Sequence, residues 1–149
     1  MAQTNEKAAP AKQKGKDIAA DADRPQGRAG REPDRKFVYK KTPQGELTCY
    51  AYLPPDWKPV DRRPALVFFH GGGWRSGTPG QFYRMGEYFS GRGLVVFTSE
   101  YRLSDVHHTT PIESVEDARS AMRYIRGHAA EWGIDSNKLI SAGGSAGGH

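Results

Sequence analysis

Two glycine-rich motifs constrain this chain most, because each follows directly on a short, largely apolar run. His70-Gly71-Gly72-Gly73-Trp74 follows Ala65-Leu66-Val67-Phe68-Phe69. Gly143-Gly144-Ser145-Ala146-Gly147 follows Leu139-Ile140-Ser141-Ala142. Leu94-Val95-Val96-Phe97-Thr98 is a further run of the same kind. Continuous apolar runs of this length suit strands covered on both faces, as in the middle of a parallel sheet. Glycines at the end of such a strand allow backbone turns and close approaches that a side chain would block.

The segments between these runs read as helices. Phe82, Met85 and Phe89 recur at helical spacing after Pro79-Gly80. Val115, Ala118, Met122, Ile125, Ala129 and Trp132 form one apolar stripe, predicting a helix over 113–131 with Gly133 as its stop signal. Upstream, 36–40 and 47–53 read as an antiparallel strand pair around the turn Pro43-Gln44-Gly45. The order is strand, strand, strand, helix, strand, helix, strand. That order predicts an α/β fold: a mixed, mostly parallel sheet with flanking helices.

Composition bounds the rest. The first 35 residues hold one large aliphatic residue, Ile18, and no aromatic, with eight Lys/Arg and six Asp/Glu. Such a segment cannot bury enough apolar surface to offset its ordering entropy, so 1–35 is expected to be a disordered polar tail. The folded domain is then 36–149. The net charge of +5 is spread along the chain without a basic, aromatic-interleaved stripe, and no nucleic-acid partner is expected. The lone Cys49 lies in an expected strand and reads as a small buried hydrophobe. No run is long enough for a membrane span, and no signal-peptide core follows Met1. A cytoplasmic location is expected for the chain as written, and a secreted or periplasmic one if the true start lies upstream.

Gly143–Gly147 fits G-x-S-x-G, which presents a serine on a sharp, strained turn between strand and helix. The positions two before and two after Ser145 crowd each other in such a turn, so both are glycine. The N–H of Ala146 then sits at a helix start, where it can face a developing oxyanion. In a chain with 18 glycines the motif alone also fits a flexible turn. The strand before it and the Gly71–Gly73 loop upstream raise it to a candidate nucleophile site.

With these motifs the chain resembles the α/β-hydrolases of the hormone-sensitive-lipase type, and more closely the feruloyl- and acetylxylan-esterase-like serine esterases. The matching pieces are 70–74, Glu100-Tyr101-Arg102-Leu103, Asp117-Ala118, Gly133-Ile134-Asp135 and 143–149. The resemblance implies Ser145 as nucleophile and the N–H groups of Gly72, Gly73 and Ala146 as oxyanion hole, with Gly71 the adjacent candidate. It implies a small-molecule ester substrate, an acylated carbohydrate among the options, and no metal or organic cofactor. It also implies that the triad acid and histidine follow the serine, so the fold is expected to be truncated after the elbow. One sheet edge would then be open and aggregation-prone. Neither His149 nor His70 is expected to act as the base: His149, one helical turn beyond Ser145, resembles a residue the family carries in addition to its catalytic histidine, and His70 is expected to brace the oxyanion loop. His107 and His108 are expected in a polar loop, Asp117 at a helix start and Asp135 in a turn. Two alternatives remain open: a peptidase or arylformamidase-like amide hydrolase on the same fold, and an inactive product or interaction module.

Overall fold

The computed structural model describes residues 30–149. Five strands, β1 (Arg35–Thr42), β2 (Gly45–Tyr52), β3 (Arg63–Phe69), β4 (Val95–Ser99) and β5 (Ile134–Gly143), form one sheet in the order β1-β2-β4-β3-β5. The β1–β2 and β2–β4 ladders are antiparallel, and β3 pairs in parallel with both β4 and β5. The mixed α/β sheet expected from the sequence is therefore present. Three helices flank it: α1 (Tyr83–Ser90), the single turn α2 (Ser104–His107) and α3 (Pro111–Gly127). None of the described helices is long and apolar enough to cross a membrane.

Strand alternation explains how the two faces are filled. Ala65, Val67 and Phe69 of β3 join Cys49, Ala51, Val95, Phe97, Ala121 and Ile125 in one cluster under α3. Leu66 and Phe68 join Tyr52 and Val96 in a second cluster, closed by Phe82, Tyr83 and Phe89 of the α1 side. With helices on both faces, β3 and β4 must be apolar throughout, which is why their runs stood out in the sequence. Cys49 is buried within the first cluster, and burial pushes its thiol pKa far up, as for an inert core residue.

Several expectations shift. The helix expected over 113–131 runs from Pro111 to Gly127, and Ala129 and Trp132 are buried in the turns that follow it. A capping box starts it: Thr110 Oγ1 accepts the Ile112 N–H at 3.3 Å, while Glu113 Oε2 accepts the Thr110 N–H at 2.8 Å. Its buried face is Ser114, Asp117, Ala121 and Ile125: it keeps Ile125 of the apolar stripe but lies one position before it in the first half of the helix. Val115, Ala118 and Met122 are only half-buried. On α1, Met85 points to solvent and Gly86 is buried instead, because any Cβ there would meet the Tyr52 ring at 2.5 Å. The tail expected over 1–35 lies outside the described residues as far as residue 29. From residue 30 the chain is docked: Arg31 donates to the Leu53 carbonyl at 3.3 Å and Ser90 Oγ at 3.2 Å, and Asp34 accepts the Leu53 N–H at 2.6 Å.

Candidate active site

Ser145 lies just past the end of β5, in the left-handed region at φ 52°. A non-glycine residue there is strained, and strain of this kind is held only where the surroundings impose it. The flanking glycines show what imposes it. A Cβ on Gly143 would run into the Gly147 carbonyl, and a Cβ on Gly147 would run into the Phe69 carbonyl at the end of β3. The crowding expected between the two glycines is thus one-sided, with Gly147 wedged against the neighbouring strand. The side chain of Ser145 is exposed. Beyond it the chain enters the 3-10 turn Ser145–Gly148.

The oxyanion candidates sit opposite, at the end of β3. A Cβ placed on Gly71 would lie 3.0 Å from the Gly144 carbonyl and 3.4 Å from Ser145 Cβ, so the loop and the elbow are in contact. Because a trans peptide points its C=O and N–H in opposite directions, pinning each carbonyl aims the next N–H. Three successive peptides of this loop are pinned. The His70 carbonyl accepts from Tyr101 OH at 2.6 Å. The Gly71 carbonyl accepts from His70 Nδ1 at 2.9 Å. The Gly72 carbonyl accepts the N–H groups of Arg75 and Ser76, both at 3.1 Å. The last closes a tight loop in which Gly72 has φ +131° and no room for a Cβ against the Ser76 carbonyl.

The four donors named from the sequence then divide. The Gly71 N–H is engaged by Gln81 Oε1 at 2.8 Å. Among the described residues, the N–H groups of Gly72, Gly73 and Ala146 donate to no protein acceptor. Of the four, only the Gly71 N–H is therefore already engaged among the described residues.

The histidines are held rather than poised. His70 is 1% exposed, its ring stacked on Tyr101 at 4.4 Å between centroids. Burial depresses its pKa, so the ring is neutral with the proton on Nδ1, facing the Gly71 carbonyl. The His149 ring rests edge-on against Trp74 at 5.5 Å. His107 Nδ1 accepts the Leu103 N–H at 2.9 Å, and His108 caps α2 in the left-handed region at φ 56°.

Asp117 is not at a helix start. It is fully buried midway along α3, where its carboxylate takes Arg102 Nε at 2.8 Å, Arg102 Nη2 at 3.0 Å, the Arg102 N–H at 3.0 Å and Lys40 Nζ at 2.6 Å. Burial alone would raise its pKa, but the hydrogen bonds from Arg102 and Lys40 outweigh that and hold it below the ordinary carboxylate value. Asp135, expected in a turn, lies at the start of β5 instead, where its carboxylate accepts the Asn137 N–H at 3.0 Å. The Glu-Tyr-Arg-Leu stretch therefore serves the site through two anchors, Tyr101 to the donor loop and Arg102 to α3. Periodicity carried no sign of either. Gln81 was also missed, since a single glutamine in a loop has no sequence signature.

Two cavities flank the loops. One, of about 510 Å³, is lined by His70, Thr78, Tyr83, Glu100 and His107. The other, of about 770 Å³, is an open groove between α3 and β5, lined by Val115, Ala118, Met122, Ala142 and Ala146. This groove explains why half of the predicted apolar stripe of α3 is not in the core.

The chain as a whole is similar to known esterases. The sequence model of the BD-FAE family matches residues 51–149. The chain is 34% identical over 96 residues to carboxylesterase NlhH of Mycobacterium tuberculosis, covering 62% of this chain and 30% of that protein. It is 29% identical over 116 residues to an acetylxylan esterase of Xylanibacter ruminicola, covering 77% of this chain and 23% of that protein. The propionate-bound structure of a thermophilic esterase from Thermogutta terrifontis superposes with a TM-score of 0.75 at 50% identity, over 76% of this chain and 42% of that one. The chain thus spans about a third or less of these curated relatives, and about two-fifths of the solved esterase.

Proposed function

This chain belongs to the BD-FAE family of esterase-like α/β-hydrolases, and from that premise we propose that it carries the nucleophile and the oxyanion donors of a serine carboxylic-ester hydrolase. Ser145 Oγ attacks the ester carbonyl carbon and gives its proton to a general base outside the described residues. The carbonyl oxygen becomes an oxyanion, received by the N–H groups of Gly72, Gly73 and Ala146. The C–O bond to the leaving alcohol breaks as the base returns the proton to that alcohol. Water then attacks the acyl-serine, loses a proton to the same base, and releases the carboxylic acid and free Ser145. The observation that carries this reading is the strained φ of Ser145, 52°, in an elbow touching a loop with free N–H donors. Small-molecule esters are the substrate class. Short acyl chains are favoured by the likeness to a propionate-bound esterase, and an acylated carbohydrate by the likeness to an acetylxylan esterase.

The test is made on the native protein with a fluorophosphonate and with a series of p-nitrophenyl esters of increasing acyl length. A single mass adduct on Ser145 is expected. The Ser145→Ala variant should lose that adduct and roughly 10⁶-fold in hydrolysis. Hydrolysis that survives the substitution would overturn the assignment.

A further inference from the structure

Besides Tyr101 on the His70 carbonyl, the donor loop has a second clamp from outside it, on an N–H, that the mechanism above does not use. Gln81 lies in the 3-10 turn Pro79–Phe82, whose backbone is anchored on both sides of it. Pro79 is buried, the Gln81 N–H donates to the Thr78 carbonyl at 3.2 Å, and the Phe82 ring stacks on Phe68 at 4.7 Å. From this anchored turn the Gln81 side chain crosses to the loop and accepts the Gly71 N–H at 2.8 Å. It also reaches the elbow: Oε1 would lie 3.4 Å from a Cβ on Gly71 and 3.8 Å from one on Gly144. The other pins on the loop, from Tyr101, His70, Arg75 and Ser76, all act on carbonyls. Gln81 alone holds an N–H, and its oxygen also lies beside the nucleophile's own turn.

Resting on the ester-hydrolase reading above, we propose that Gln81 is a positioning residue that sets the separation between the oxyanion donors and Ser145. Three adjacent glycines have almost no intrinsic preference for one backbone conformation, so the loop needs an outside hold. By fixing the His70–Gly71 peptide from the elbow side, the amide keeps the Gly72 and Gly73 donors at working distance from Ser145. It also removes the Gly71 N–H from competition for the substrate oxygen. A misplacement of about 1 Å in such a site is enough to cost on the order of 10²-fold in rate.

The experiment compares the native protein with Gln81→Met, which keeps the shape and loses the acceptor, and Gln81→Glu, which keeps the acceptor and adds a charge facing the oxyanion. Gln81 is exposed, so both variants should unfold at the wild-type midpoint. For Gln81→Met, kcat should fall roughly 10- to 100-fold with KM unchanged. For Gln81→Glu, the ratio of its kcat to wild type should climb as the pH falls and the carboxyl protonates, a signature that Gln81→Met lacks. Wild-type kcat in Gln81→Met, or a raised KM with kcat intact, would overturn the proposal. Hydrogen exchange at the Gly71 amide supplies a readout independent of turnover. It should quicken at least tenfold in Gln81→Met, and unchanged exchange would sink the clamp. If wild type shows no Ser145-dependent hydrolysis, the esterase reading fails while the exchange result still decides the clamp.

Discussion

The two outer strands of the sheet, β1 and β5, are built on opposite plans. β1 carries Lys36, Lys40 and Lys41, and its apolar residues Phe37 and Tyr39 turn inward. Lys40 reaches the buried Asp117, and Lys41 pairs with Glu46 on the surface at 3.1 Å. Charge and a register shift between Val38 and Lys40 blunt this edge against further pairing. β5 keeps its charges in its first half, at Asp135 and Lys138. Its second half is Leu139-Ile140-Ser141-Ala142, and Ile140 is 51% exposed. Where β1 ends the sheet by its own sequence, β5 has the composition of an inner strand and also carries the elbow. The candidate nucleophile thus follows the strand whose outer edge the described residues leave unpaired.

The largest effect should come at the elbow. Gly147→Ala would drive a Cβ into the Phe69 carbonyl, so Ser145 should lose fluorophosphonate reactivity by roughly 10³-fold or more. A matching change on the other edge, Lys36→Ala, should leave it unaltered. Reactivity retained in Gly147→Ala would mean that Ser145 does not depend on this strained turn.

Next is the ion pair that ties β1 to α3. Asp117→Ala strands Arg102 and Lys40 near a buried site, and denaturant unfolding should show a loss of about 3–5 kcal/mol. A loss under about 1 kcal/mol would reduce it to the level of a surface pair. The pH dependence has a definite sign. Asp117 has a folded pKa below its unfolded value near 3.8, so its contribution is complete above that value. It should fade as the pH drops through the lower folded value. His70 acts in the same direction from a higher starting point. Its folded pKa lies below the ordinary 6.5, so acid titrates the unfolded chain first and stability declines from there downward.

The smallest change in folding free energy, but a clear one in solubility, should separate the two edges. Ile140→Lys should shift stability by no more than about 0.5 kcal/mol while raising the concentration at which light scattering appears. Lys36→Ile should lower that concentration. Equal behaviour of the two variants would mean that the edges do not differ as proposed.

What was legible from sequence was whatever short-range chemistry dictates. The apolar runs marked β3 and β4, because a strand between two helical layers has no polar face. Gly143, Gly147 and the Gly71–Gly73 run marked the two turns, and at Gly72, Gly143 and Gly147 a Cβ would run into backbone atoms. What the sequence could not settle were the pairings that need the folded chain. Ile125, Ala129 and Trp132 of the α3 stripe are core as read, but Val115, Ala118 and Met122 also line a groove, which periodicity cannot tell from a buried face. Asp117 looked like a helix-start residue until the sheet brought Lys40 and Arg102 to it. Gly71, Gly72 and Gly73 are equivalent as letters. Only the tertiary structure, by turning Gln81 toward one N–H, showed which of the three is already engaged within the described residues. The reason is physical: a backbone turn is encoded by neighbours in the chain, whereas the direction of an N–H is set by whatever accepts it from across the fold.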